Sequence, residues 1–100
     1  MTIGVLAIEL SIPYGETIKE RRNVLRSMKD MVRKKFNVGI SDITEGKEIT
    51  NRARVGIVAI SLDAGYLQST LANAFNLIES HYAEMILSYN TEFFNYGEME

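Results

Sequence analysis

The chain has 100 residues, 46% hydrophobic and 24% charged, with one proline and no cysteine, which suits one soluble domain with one core and excludes disulfide and thiolate chemistry. Formal net charge is −2, but the sum hides a segregation: all 11 Lys and Arg residues fall at or before Arg54, while Asp63, Glu79, Glu84, Glu92, Glu98 and Glu100 have no basic residue among them. Folding should therefore produce one basic and one acidic region, a field that orients a charged partner.

The first stretch, MTIGVLAIEL, has neither the basic flank nor the cleavage pattern of a signal peptide. No apolar segment reaches the 18 or so residues of a membrane helix, so a cytoplasmic protein without membrane contact is expected. From Ile3 to Ile12, Leu6, Ile8, Leu10 and Ile12 alternate with Val5, Ala7, Glu9 and Ser11, the period of a strand with one more apolar face. Pro13-Tyr14-Gly15 ends it.

Thr17 to Phe36 carries the clearest helical signal. Ile18, Leu25, Met28, Val32 and Phe36 form one apolar stripe, and Arg22, Arg26, Lys29 and Arg33 form a second beside it. Thr17 and Glu20 have the spacing of a capping box. Arg21 lies near the apolar stripe instead of the basic one, where snorkelling over the sheet edge is favoured over a fixed partner.

Asn37 to Thr44 reads as a second strand and Glu45 to Asn51 as a loop. Arg54 to Leu62 is nearly all apolar, as in a central strand; Val58, Ile60 and Leu62 point to one face, Val55 and Ile57 to the other. Asp63 is a candidate N-cap for a helix to about Ser80, with Leu67, Leu71, Phe75 and Ile78 on its buried stripe. Ala83 to Phe94 completes the domain, residues 1–94, as a strand in which Met85, Leu87 and Tyr89 alternate with Glu84, Ser88 and Asn90. Residues 95–100 read as a frayed tail.

Two strand–helix–strand units in this length predict an α+β, ferredoxin-like βαββαβ domain: a four-stranded antiparallel sheet with two helices on one face. Right-handed crossovers place the first and third strands in the middle. Apolar groups on both faces of the third strand leave one face of the sheet for water or for a second copy, so a homo-oligomer is a candidate state.

GVLAIEL, TIKERR at the head of the first helix, FNVGISDI after it, and RARVGIVAIS followed by Asp63 together resemble the YlxP-like family of small bacterial proteins of unknown function. The resemblance runs from about Ile3 to the last strand, and TIKERR is its most specific piece. It implies a ferredoxin-like fold, a cytoplasmic bacterial setting, no known catalytic activity, and genes near those for translation initiation and ribosome maturation factors. Family members often carry a His and a Trp after the second strand, ahead of Gln-Arg; this chain has Gly46 and Thr50 there, then Asn51-Arg52, and so lacks that aromatic.

In the predicted topology Lys19, Arg21 and Arg22 at the start of the first helix gather with Lys47, Arg52 and Arg54 at the same end of the sheet, where the positive end of the helix dipole also points. Arg26, Lys29 and Arg33 extend the array down the helix. The functional reading is phosphate contact with structured RNA or the ribosome; the structural one is a solvated helix whose cations pair with Glu16, Glu20 and Asp30. Base stacking of the RRM type is not expected, because neither central strand contains an aromatic residue.

Catalysis finds little support. His81 is the only histidine and reads as a helix-terminal residue favoured by the dipole. Asp42, Glu45 and Glu48 lack the companions of a metal site. Neither GxGxxG nor GxxxxGK[ST] occurs. No cofactor and no small-molecule substrate are expected. Phe93, Phe94, Tyr96 and Met99 either pack a strand end or form a sticky segment for a partner.

Overall fold

Period-two alternation builds the centre of the molecule. In the computed structural model, which describes residues 1–12, 18–45 and 51–97, β1 (Thr2–Ser11) buries Leu6, Ile8 and Leu10 on one side and leaves Val5, Ala7 and Glu9 on the other. β3 (Arg52–Ser61) lies antiparallel to it, from Thr2 opposite Ser61 to Ser11 opposite Arg52, and turns Ala53, Val55, Ile57 and Ala59 to the same buried side. The Val55 and Ile57 face of β3 is thus the one that meets the helices.

β2 (Gly39–Asp42) pairs with β3, and β4 (Ile86–Asn95) pairs with the free side of β1, giving one antiparallel sheet in the order β2-β3-β1-β4. The fold is the expected ferredoxin-like βαββαβ arrangement, with the first and third strands central.

α1 (Ile18–Lys35) buries Leu25, Met28 and Val32, a spacing of one residue per turn. Thr17, half of the expected capping box, lies outside the described residues. α2 (Ala64–Tyr82) begins at Asp63, whose carboxylate accepts from the Tyr66 amide at 3.0 Å, and buries Leu67, Leu71, Ala74 and Ile78. α1 packs against β2, whereas α2 lies over β1 and β3. β4 sits outside both, with nine of its ten residues exposed.

The element bounds differ from the sequence reading in two instructive places. β2 spans four residues instead of eight: it begins two residues later, at Gly39, and ends where Asp42 accepts from both the amide and the hydroxyl of Thr44. At the other end, no glycine or proline stops α2 at Ser80; it runs to Tyr82 and tightens into a 3-10 turn over Ala83–Met85, so β4 starts only at Ile86. That strand then reaches Asn95, and the Tyr96 amide donates to the Met1 carbonyl at 2.8 Å, which holds the first residues of the expected tail.

Gly4 marks the closest approach of α2 to the sheet. A Cβ there would lie 2.7 Å from Leu71 Cδ1, 3.1 Å from Phe93 Cε1 and 3.2 Å from Leu67 Cδ2, and Leu67 and Leu71 are fully buried. Gly4→Val should therefore overpack the core and cost about 1–3 kcal/mol, read as a lower urea midpoint at unchanged slope. An unchanged midpoint would contradict this packing.

Candidate functional site

The residues proposed for phosphate contact divide into three groups. Arg21 belongs to the interior. It is 6% exposed, on the same α1 stripe as Leu25, Met28 and Val32, and its guanidinium is fully engaged. Nη1 donates to Asp42 Oδ2 at 3.1 Å, Nη2 to the Thr44 hydroxyl at 2.7 Å, and Nε to the Arg52 carbonyl at 3.4 Å. The expectation of snorkelling is corrected: a guanidinium at this depth needs a fixed anion, and the turn after β2 provides one. Arg21 is a tie between α1, β2 and β3, not a contact for an outside phosphate.

Asp42 is shaped by the same network. Burial pushes its pKa up, but the hydrogen bonds from the Thr44 hydroxyl and amide and from Arg21, with the charge of Arg21, outweigh that and hold it below the ordinary 3.8. This carboxylate is therefore occupied. Glu45 is exposed, and Glu48 lies outside the described residues.

Arg52 and Arg54 form the second group. The bonds from the Ile12 amide to the Asn51 carbonyl and from Arg21 to the Arg52 carbonyl show that the start of β3 and the start of α1 share one end of the sheet, as expected. The side chains do not converge, however. Ala53 and Val55 fill the helix side, so alternation sends Arg52 and Arg54 to the open face. There Arg54 Nε meets Glu9 Oε1 across the β1–β3 ladder at 3.0 Å. Lys47 lies outside the described residues.

The third group is the array on α1. Arg22, Arg26 and Arg33 are exposed and Lys29 is half-buried. The inter-helix groove is lined by Ser27, Asp30, Met31, Lys34 and Lys35 with Leu77 and His81, so the Arg22–Arg33 stripe occupies the opposite flank. Arg33 confirms this: its Nη2 donates to the Ile40 carbonyl of β2 at 3.1 Å. Among the described residues the ion pairs are Arg21–Asp42 and Arg54–Glu9, so Arg22, Arg26, Lys29 and Arg33 have no carboxylate neutralising them. The stripe is about 16 Å long at 1.5 Å per residue. Lys19, also exposed, stands near the helix start.

His81 is exposed near the end of α2, with Nδ1 2.9 Å from Ser80 Oγ and 3.3 Å from the Leu77 carbonyl. The serine hydroxyl donates to that same carbonyl at 2.7 Å, a contact local to the last helical turn. The sequence reading missed Ser80 as a neighbour of His81. No helix among the described residues is long and apolar enough to cross a membrane.

The model of a family described as a protein of unknown function, DUF503, matches residues 3–91. The chain belongs to the DUF503 family. No curated protein matches it. Among solved structures, this DUF503 domain is similar to a mutant of SnoaB, a cofactor-independent oxygenase from Streptomyces nogalater, at 10% identity and TM-score 0.54, covering 97% of this chain and 94% of that one. It is also similar to a dimeric protein of unknown function and ferredoxin-like fold from Bacteroides fragilis, at 11% identity and TM-score 0.50, covering 95% and 96%. At these identities the likeness shows the fold alone.

The Arg21–Asp42 tie has a measurable signature in the DUF503 domain. Because the folded pKa of Asp42 is lowered, its contribution to stability is fully present above the ordinary carboxylate value and is lost as pH falls through the folded one. Arg21→Met should cost about 2 kcal/mol at pH 7, less than the 3–5 of a fully buried pair because Asp42 is partly open to water. The gap to wild type should narrow below about pH 4. A gap constant from pH 7 to pH 3 would contradict the tie.

Proposed function

We propose that this DUF503 protein is a non-enzymatic, cytoplasmic accessory domain that binds structured RNA, in a ribosomal setting, through the outer flank of α1. The observation that carries the reading is the row of Arg22, Arg26, Lys29 and Arg33, which no carboxylate among the described residues neutralises, on the flank turned away from α2. A row of four cations on a rigid helix suits a phosphate backbone, whose recognition is dominated by charge and needs no base-specific pocket. Lys19 and the positive end of the α1 dipole extend the field at the same end. Arg52 adds a cation on the other face, and Arg21 and Arg54 serve the fold. The resemblance of TIKERR and its companion segments to the YlxP-like family, with its translation-related gene neighbourhood, favours RNA over another polyanion.

Binding of the full chain to a structured RNA at several salt concentrations tests the reading. Four neutralised phosphates predict a slope of log affinity against log salt of about −3.6. Replacing Arg22 and Arg26 with Glu should weaken binding at least about tenfold and flatten the slope by roughly 2, without changing the thermal midpoint by more than a degree or two, since both side chains are exposed. No binding, or affinity independent of salt, would remove the proposal.

A further inference from the structure

The two edges of the sheet are built differently. β2 is four residues long, α1 lies beside it, and Arg33 occupies the Ile40 carbonyl; shortness and a flanking cation are devices that keep an edge strand from recruiting another. β4 has neither. It is ten residues long, contains no Lys, Arg or Pro, and pairs on one side only. It also carries apolar groups on both faces: Tyr89 and Phe93 lie across from Ile8 and Gly4 on the helix side, and Phe94 lies across from Ile3 on the open side. These side chains are 60%, 40% and 50% exposed. Between α2 and β4 runs a cleft of about 480 Å³ walled by Leu71, Phe75, Tyr89 and Phe93, in which the Phe75 and Tyr89 rings stand 4.2 Å apart.

We infer that β4 pairs antiparallel with β4 of a second copy of this chain about a two-fold axis at Thr91, joining two four-stranded sheets into one of eight strands. The strand is self-complementary in that register. Tyr89 of each copy faces Phe93 of the other on the helix side, two aromatic cross-strand pairs of the kind that stabilise sheets. On the open side Asn90 faces Glu92. Those two residues already bond within one chain, Asn90 Nδ2 to Glu92 Oε1 at 3.4 Å, so the amide has a matching acceptor on either copy. Moving the axis to Glu92 would set two carboxylates directly opposite, which is unfavourable.

The edge also offers apolar surface to bury. Tyr89, Phe93, Phe94 and Tyr96 each present on the order of 100 Å² of ring surface. With Leu87 they leave apolar surface along the strand that a second copy would cover in part. A second copy fits the charge as well. Glu92 is the one charged residue of β4, and the two-fold register places its carboxylate against an amide and not against its own copy.

This inference does not rest on the RNA reading and is tested without RNA. Light scattering of the full chain from micromolar to about millimolar concentration should show a mass approaching twice 11.3 kDa. Thr91→Lys, at an exposed position, places two cations on the axis and should raise the dimer dissociation constant roughly tenfold or more. Because the chain has no cysteine, Thr91→Cys offers a second readout that does not depend on affinity: opposed residues lie within disulfide reach, so mild oxidation should yield a covalent dimer. Ser41→Cys, exposed on the open face, should not cross-link. A monomer at every concentration, a dimer indifferent to Thr91→Lys, or cross-linking at Ser41 and not at Thr91 would each overturn the inference.

Discussion

Arg21 sits where the helix pattern calls for a hydrocarbon, and the architecture follows from how that charge is satisfied. A guanidinium 6% exposed is tolerable only against an anion and further acceptors, and Asp42, Thr44 and the Arg52 carbonyl supply them from β2, the turn after it and β3. α1 is thereby held toward the β2 edge of the sheet. α2 fills the space over β1 and β3 and reaches β4 only along one flank, where Phe75 meets Tyr89, so nine of the ten β4 residues stay exposed. The Arg21–Asp42 pair thus fastens α1 to the shielded β2 edge, at the opposite side of the sheet from β4.

The segregation of charge along the sequence becomes a segregation across the sheet. Arg22, Arg26, Lys29 and Arg33 line the β2 side, while β4 carries Glu92 and no cation. The two edges accordingly suit different partners: a polyanion on one, a near-neutral strand on the other. If both are occupied as inferred, the two basic flanks lie at the far ends of an eight-stranded sheet, roughly 34 Å apart at 4.8 Å per strand. One RNA touching both flanks would gain affinity through effective concentration without any new contact.

Much of the fold was legible because periodicity encodes it. The alternation in β1, the apolar run of β3 and the Asp63 cap led to the right elements, and crossover handedness placed β1 and β3 centrally. The site was legible only in part. The stripe of Arg22, Arg26, Lys29 and Arg33 follows from helical geometry, but sequence proximity to the first helix said nothing about which way Arg52 and Arg54 point; strand alternation, applied after Ala53 and Val55 were known to be buried, sends them to the other face. The angle of Arg21 singles it out, yet its partner is not legible, because Asp42 and Thr44 are distant in sequence and read as part of the second strand. The exposure of β4 depends on where α2 settles, a tertiary choice that no local pattern records.

The most direct measurement is a titration of the isotopically labelled chain with a short structured RNA, following backbone amide shifts in solution. The perturbed amides should cluster on α1 from Arg22 to Arg33 and at Ile40, where Arg33 is anchored, with β4 unmoved. Shifts concentrated instead around Arg52 and Arg54 on the open face, or along β4, would contradict the assignment of the basic edge as the binding surface.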